Sequence, residues 1–347
     1  MRTRRFQNFP PQPRQAGFSL IELMVGVVLA LIAVIVIMQV FQQAEAGKRT
    51  TTGTSSAAMD GALAATDLQR DLRQAGAGII NSALLGCSLT LLNGKTLDNL
   101  APVVINSGVV PAGDAGSDTL LIVYGNFNGS PDGDKISAQA GSTLTVAAPS
   151  AYAAGDYVVP TPQTRSSPCG LQLYTATSIT GAAPSGALLL NAAPTNSPVA
   201  IYDLGQLPHI VAYAVRNGRL TQCDFVQSDC TQTANYLEIY DGVVNLRAVY
   251  GHNTSTPPTY DQATPTAAAT WEQISILRIA LTLRSGQLEK TAVTGNCAAP
   301  LVCKAAPTWS QAAVAPINVT GLTSWQNYRY FVFEAAVQLR NVANLSS

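Results

Sequence analysis

Gly17-Phe18-Ser19-Leu20-Ile21-Glu22-Leu23-Met24-Val25-Gly26, with the apolar run that continues to Phe41, decides how the rest of the chain is read. From Leu23 to Met38 no side chain is polar, and no charge falls between Glu22 and Glu45. A helix over 18–41 would be roughly 36 Å long, against a bilayer hydrocarbon core of about 30 Å. Glu22 stands near the start of this run. A carboxylate in hydrocarbon is costly without a partner, so it marks function. In front lies a leader that carries Arg2, Arg4, Arg5 and Arg14 and no acidic residue, kept extended by Pro10, Pro11 and Pro13.

Three kinds of signal share parts of this pattern. A secretory signal has a basic start, a short apolar core and an A-x-A cleavage site. Ala44-Glu45-Ala46 would supply the site, but the apolar core here is too long and an acid at its start is foreign to that class. A plain signal anchor accounts for the arginines and the apolar run, yet leaves Gly17-Phe18 and Glu22 without a reason. The complete set, Gly17, Phe18 to Glu22 and then the apolar helix, resembles the class III signal of type IV pilins and type II secretion pseudopilins. The resemblance implies cleavage between Gly17 and Phe18 by a prepilin peptidase and N-methylation of Phe18. It also implies that Glu22, then the fifth mature residue, meets the N-terminal amine of a neighbouring subunit. Two opposite charges in a low-dielectric bundle satisfy each other, where either alone is costly.

Four arginines precede the span and only Lys48 and Arg49 follow it closely, which predicts a cytoplasmic N-terminus and an extracytoplasmic bulk. Overall charge is zero, with 20 basic and 20 acidic residues; loss of the leader's four arginines leaves 16 and 20, a net −4. That balance offers no global attraction to nucleic acid or anionic lipid. Cys87, Cys169, Cys223, Cys230, Cys297 and Cys303 make an even count, which on the oxidising side of a membrane reads as disulfides. Six cysteines permit 15 pairings. The short loops Cys223 to Cys230 and Cys297 to Cys303 are the local choices, which leaves Cys87 with Cys169. The spacings are not those of a zinc ribbon.

The chain divides, on this reading, into a cleaved leader (1–17), a membrane and assembly helix (18–46), an amphipathic continuation (47–78) and a β-rich head (79–347). Residues 47–56 are poor helix formers. Ala58, Ala62, Ala65, Leu68, Leu72 and Ala75 then recur on one helical face, with Asp67, Arg70, Asp71 and Arg73 elsewhere, until Gly76 and Gly78 stop the helix. After residue 79 the period becomes two. Strands are predicted at 118–124, 143–147, 157–159, 171–179, 187–190, 199–202, 210–215, 220–223, 243–250, 274–283 and 329–339. Asn217-Gly218 between two of them is a hairpin signal. No strand–helix–strand alternation appears, so the expected class is α+β: a long N-terminal helix on a predominantly antiparallel head.

The stretch Leu68 to Gly76 is similar to the helix end of the PilW family of minor pilins. So are Leu237 to Leu246 with Tyr250-Gly251, Trp271 with Ile276 to Ser285, and Phe333 to Asn341, in that order along the chain. Residues 85–200 match no such element and read as an elaboration of the sheet. The resemblance implies a pilin-like fold, no cofactor, no enzymatic activity and a structural role in type IV pilus assembly, priming it or entering near the tip. Its implied partners are other major and minor pilins, the prepilin peptidase, the assembly platform and a tip adhesin. The implied place is the bacterial inner membrane, single-pass, with a periplasmic head, and then the pilus. Two other readings keep the same signal: a J-type minor pseudopilin of type II secretion, and a displayed adhesin that uses residues 85–200.

Catalytic candidates are few. His209 and His252 are the only histidines, and no G-x-S-x-G, H-E-x-x-H or phosphate-cradling loop occurs. Asn126, Asn128, Asp132 and Asp134 alternate with glycines as oxygen ligands of calcium loops do, but lack a terminal Glu, and such clusters are ordinary turn chemistry. Arg216 and Arg219 flank the Asn217-Gly218 turn without the basic aromatic stripe that nucleic acid would need.

Overall fold

Helix α1 (Leu20–Gln74) begins behind Ser19, whose backbone N–H donates to Glu22 Oε2 at 3.2 Å. This is the reach-back half of a capping box, written in the sequence as Ser-x-x-Glu. The computed structural model describes residues 17, 19–79, 81–126, 128–130, 132–295, 297, 303–339 and 341; the leader arginines and Phe18 lie outside them. Contacts divide the chain into two units, Met1–Thr52 and Gly53–Ser347.

In the first unit, Leu20–Glu45 has a mean hydropathy of 3.1 over its best window and none of that window is buried. By length and composition it suffices to cross a membrane. Residues 47–56, poor helix formers by propensity, remain helical throughout.

In the second unit the rest of α1 buries Ala57, Gly61, Ala64, Ala65, Leu68 and Leu72, with Ala75 buried just beyond its end. The buried stripe therefore starts one residue earlier than the alanine spacing predicts, and Ala62 is exposed. Gly61 explains the offset. A Cβ there would fall within 2.8 Å of Leu283 Cδ1 and closer still to the Phe333 ring. The absent side chain lets the helix backbone approach the sheet. The helix ends where Gly76 takes φ +87°, the left-handed conformation of a C-cap, and its N–H donates to Val123 O at 2.8 Å.

Among the described residues the head holds three open sheets and a closed barrel. The helix-bearing face belongs to two of them. One runs β14 (Leu237–Asp241), β13 (Arg219–Asp224), β12 (His209–Arg216), β4 (Leu120–Tyr124), β3 (Val103–Ile105). The other runs β16 (Thr259–Asp261), β15 (Val243–His252), β17 (Ile274–Arg284), β18 (Tyr330–Gln338). All pairs in both are antiparallel. One apolar core joins the helix stripe to both, including Leu121, Ala212, Leu246, Leu277 and Leu281. The β12–β13 hairpin turns on Asn217 (φ 52°) and Gly218 (φ 72°), the two positive φ values that a type I′ turn needs, and Asp114 accepts both turn N–H groups.

Inserted between β4 and β12 is a closed six-stranded barrel, in the order β10 (Ser185–Leu190), β6 (Thr143–Val146), β5 (Asp134–Ala140), β11 (Pro198–Gly205), β7 (Tyr157–Pro162), β9 (Tyr174–Ala182). It encloses its own core, with Leu144, Val146, Val158, Leu188 and Ile201 at its centre. Closure removes the sheet edges that a free insert would expose. A small third sheet, β2 (Thr96–Leu97), β1 (Ser88–Thr90), β8 (Gly170–Gln172), ties the barrel to the head; its β1–β8 pair is parallel, an exception to the antiparallel expectation. The predicted strand 171–179 is two elements, β8 and β9, broken at Leu173.

The sulfurs of Cys87 and Cys169, Cys223 and Cys230, and Cys297 and Cys303 are joined as three disulfides. The first clamps β1 to the start of β8.

Candidate functional site

Two places carry the functional weight: the N-terminal apolar stretch and the seat of α1 on the sheet. In the first, Gly17 and Ser19 are exposed, and so is every described side chain from Leu20 to Ala44. Glu22 is the only carboxylate among the first 44 residues. Its Oε2 takes the Ser19 N–H, within its own turn.

At the seat, two aspartates on neighbouring turns of α1 meet two tyrosines of the sheet. Tyr213 of β12 donates to Asp71 Oδ2 at 2.5 Å, and Tyr240 of β14 donates to Asp67 Oδ2. Asp71 is only 6% exposed, so this bond stands in for lost water. Arg70 spans both carboxylates from the solvent side, 3.4 Å from Asp67 and 3.6 Å from Asp71. Burial, and then the Asp71 charge, raises the Tyr213 hydroxyl well above the tyrosine range. The bond to Asp67, with burial second, pushes Tyr240 up to about 12. Beside the seat opens a cavity of about 380 Å³, walled also by Tyr124 and by His209, which stacks on Tyr124 with ring centroids 4.6 Å apart. Every carboxylate oxygen at the seat has a partner on the protein, so the arrangement holds helix to sheet. In the sequence, Asp67 and Asp71 stand within helical reach of arginines. The tyrosines, 142 and 173 residues further on, carried no local signal.

The other candidates are dispersed. Asn126 Oδ1 accepts the Leu207 N–H at 3.0 Å and Asp134 Oδ2 accepts the Ala148 N–H at 2.9 Å, while the Asn128 and Asp132 N–H groups go to Asp203 and Ser130. Only the last is a local turn bond; the others tie separate loops and strands together, and no metal-holding cluster of His, Cys, Asp and Glu occurs among the described residues. His252 lies 3.2 Å from Asp261 across β15 and β16. Arg219 is held by Glu238 and Asp241, both at 2.6 Å. Arg216 donates to the Pro111 and Ala112 carbonyls and lies over the Tyr236 ring.

Comparison with known families decides what this pairing of an apolar stretch and a seated helix belongs to. The family described as type IV pilus-assembly protein W, PilW, matches residues 212–341, and the prokaryotic N-terminal methylation motif matches residues 12–38. The two matches support a PilW-family type IV pilus minor pilin. The PilW match begins inside β12 and runs through β18, so it includes Tyr213, Tyr240 and the whole second helix-bearing sheet. The barrel lies outside both matched stretches. Among solved structures, a type IV-like pilin from Thermus thermophilus aligns over 82% of this chain and 96% of its own, at 13% identity and a TM-score of 0.32. No curated protein matches in sequence. The two family matches thus support a structural subunit that acts in type IV pilus assembly, with its N-terminal apolar helix as anchor and in association with other pilins and the pilus machinery.

Proposed function

We propose that Glu22 drives the entry of this minor pilin into the growing filament by pairing with the N-terminal amine of an adjacent subunit. Cleavage between Gly17 and Phe18 would expose the new N-terminus, and methylation of Phe18 would complete it. The observation that carries the reading is a lone carboxylate at the head of an apolar stretch, residues 20–44, whose side chains are all exposed. Inside a bundle of like helices, that carboxylate needs a cation. Before assembly the protein sits in the inner membrane, N-terminus in the cytoplasm and head in the periplasm, as the arginine bias supports. The division into leader (1–17), membrane helix (18–46), continuation (47–78) and head (79–347) belongs to the same reading. The head then selects neighbouring pilins at a priming or tip-proximal position. Its role is structural, not catalytic.

Glu22→Ala and Glu22→Gln test this in cells. Both variants should remain in the inner membrane fraction yet fall at least about tenfold in sheared pili, since an unpaired ammonium in the bundle is worth more than the 1.4 kcal/mol of one decade. Wild-type incorporation of both variants would overturn the pairing. Mass spectrometry of the mature chain checks the cleavage, and a first residue other than methylated Phe18 would sink it.

A further inference from the structure

Where the barrel joins the head, a cavity of about 350 Å³ is lined by Ser82, Gln163, Arg165, Ser166, Cys169 and Ala268, among others. Among the described residues, Arg165 is the only charged one on its wall. It is also one of only two charged residues between Lys135 and Asp203, with Asp156. Arg165 Nη1 donates to Ser82 O at 2.7 Å, and among the described residues no carboxylate pairs with the guanidinium.

Behind Ala268, on the same short helical turn (Ala268–Trp271), Trp271 is 2% exposed and its buried Nε1 has no hydrogen-bond acceptor. A buried indole N–H without a partner costs free energy and calls for one. Both donors converge over Gly86: a Cβ built there would lie 3.0 Å from Trp271 Nε1 and 3.6 Å from Arg165 Nη2. With no side chain at Gly86, both donors pack close to its bare backbone, next to the cavity wall. The frame is stiff, since Cys169 on the cavity wall is bonded to the fully buried Cys87, one residue from Gly86.

We propose that this neck cavity binds a carboxylate. The fork of Arg165 matches a carboxylate in geometry and charge, and the indole N–H supplies a second, orienting bond once the guanidinium turns toward the ligand. The hydroxyl of Ser82 and the amide of Gln163 add neutral donors, and among the described residues no acid on the wall opposes an anion. The carboxylate is either a free small molecule or an acidic side chain of an adjoining subunit. The site itself does not depend on the Glu22 pairing.

The test uses the full-length protein in detergent micelles with ¹⁵N-indole tryptophan, whose three signals are assigned by elimination through Trp309→Phe and Trp325→Phe. Sodium acetate is titrated against sodium chloride at equal ionic strength. The Trp271 indole signal should move saturably with acetate alone, and the half-saturation concentration should rise at least about tenfold in Arg165→Ala. Arg165→Lys, which keeps the charge without the fork, should fall between. A Trp271 signal that does not respond to acetate, or responds equally in Arg165→Ala, overturns the proposal. The source is read separately in cells with Arg165→Glu, after its indole spectrum shows a folded head. Loss from sheared pili then assigns the carboxylate to a neighbouring subunit, and normal incorporation assigns it to a free ligand.

Discussion

One helix, α1, contains two regions that obey different rules. Over Leu20–Glu45 the apolar side chains surround the helix on all sides and none of the hydropathic window is buried in the protein. Over Gly53–Gln74 only one stripe is buried, and that stripe is the floor of the head's core. The first region is written for lipid or for like helices; the second is written for one particular sheet. The difference teaches that the two halves answer to separate measurements, membrane insertion and head stability, and the substitutions below exploit that separation.

The largest effect belongs to the head. Cys87→Ser with Cys169→Ser opens a loop of 82 residues, which on chain-entropy grounds costs about 4–5 kcal/mol. Denaturant unfolding of the head should report it, while membrane insertion stays intact. Next comes a matched pair. Leu72→Ala, at a fully buried position, should cost the head about 2–5 kcal/mol. Leu31→Arg, at an exposed position in the apolar stretch, should raise the insertion free energy by about 2.5–3.5 kcal/mol and leave the unfolding midpoint unchanged. If Leu31→Arg also destabilised the head, the separation of the two halves would be broken.

A smaller effect sharpens how the second region is held. Tyr213→Phe strands Asp71 without its buried donor and should cost about 1–3 kcal/mol. It also changes the alkaline limb of the stability curve. The folded-state pKa values of Tyr213 and Tyr240 are raised above 10, so the folded head keeps protons that the unfolded chain loses. Their contribution is therefore whole below pH 10 and fades as pH climbs, for Tyr240 through about 12. Tyr213→Phe with Tyr240→Phe should flatten the decline between those values in a pH series of thermal melts. The smallest effect is that of Arg70→Ala. Its guanidinium is solvent-screened and its contacts with Asp67 and Asp71 are long, so the melting temperature should stay within experimental scatter.

These contrasts also mark how far a linear reading reaches. The apolar stretch, the helix stop at Gly76, the Asn217-Gly218 turn and the long strands β12, β15, β17 and β18 were legible because each rests on residues within a few positions of one another. The short strands β1, β2, β3 and β16 were not, since two or three residues cannot establish a period. Strand β5 was hidden as well, because its start at Asp134 overlaps an Asn/Asp/Gly cluster that reads as turn or ligand loop. The offset of the buried helix stripe was missed because alanine spacing says nothing of Gly61, whose value lies in what it lets approach.

The sequence alone determined that this chain carries a lone acid ahead of a lipid-length apolar helix, because hydrophobicity and charge are properties of consecutive residues. It also determined that an antiparallel head follows, because side-chain alternation is local. Only the tertiary structure decided that residues 134–205 close into a barrel with a core of its own. Only it seated Asp67 and Asp71 on Tyr240 and Tyr213, and set Arg165 beside Trp271 over Gly86. Each of those meetings joins residues far apart in the chain, and which distant groups meet is settled by packing and strand register, not by any pattern along the backbone.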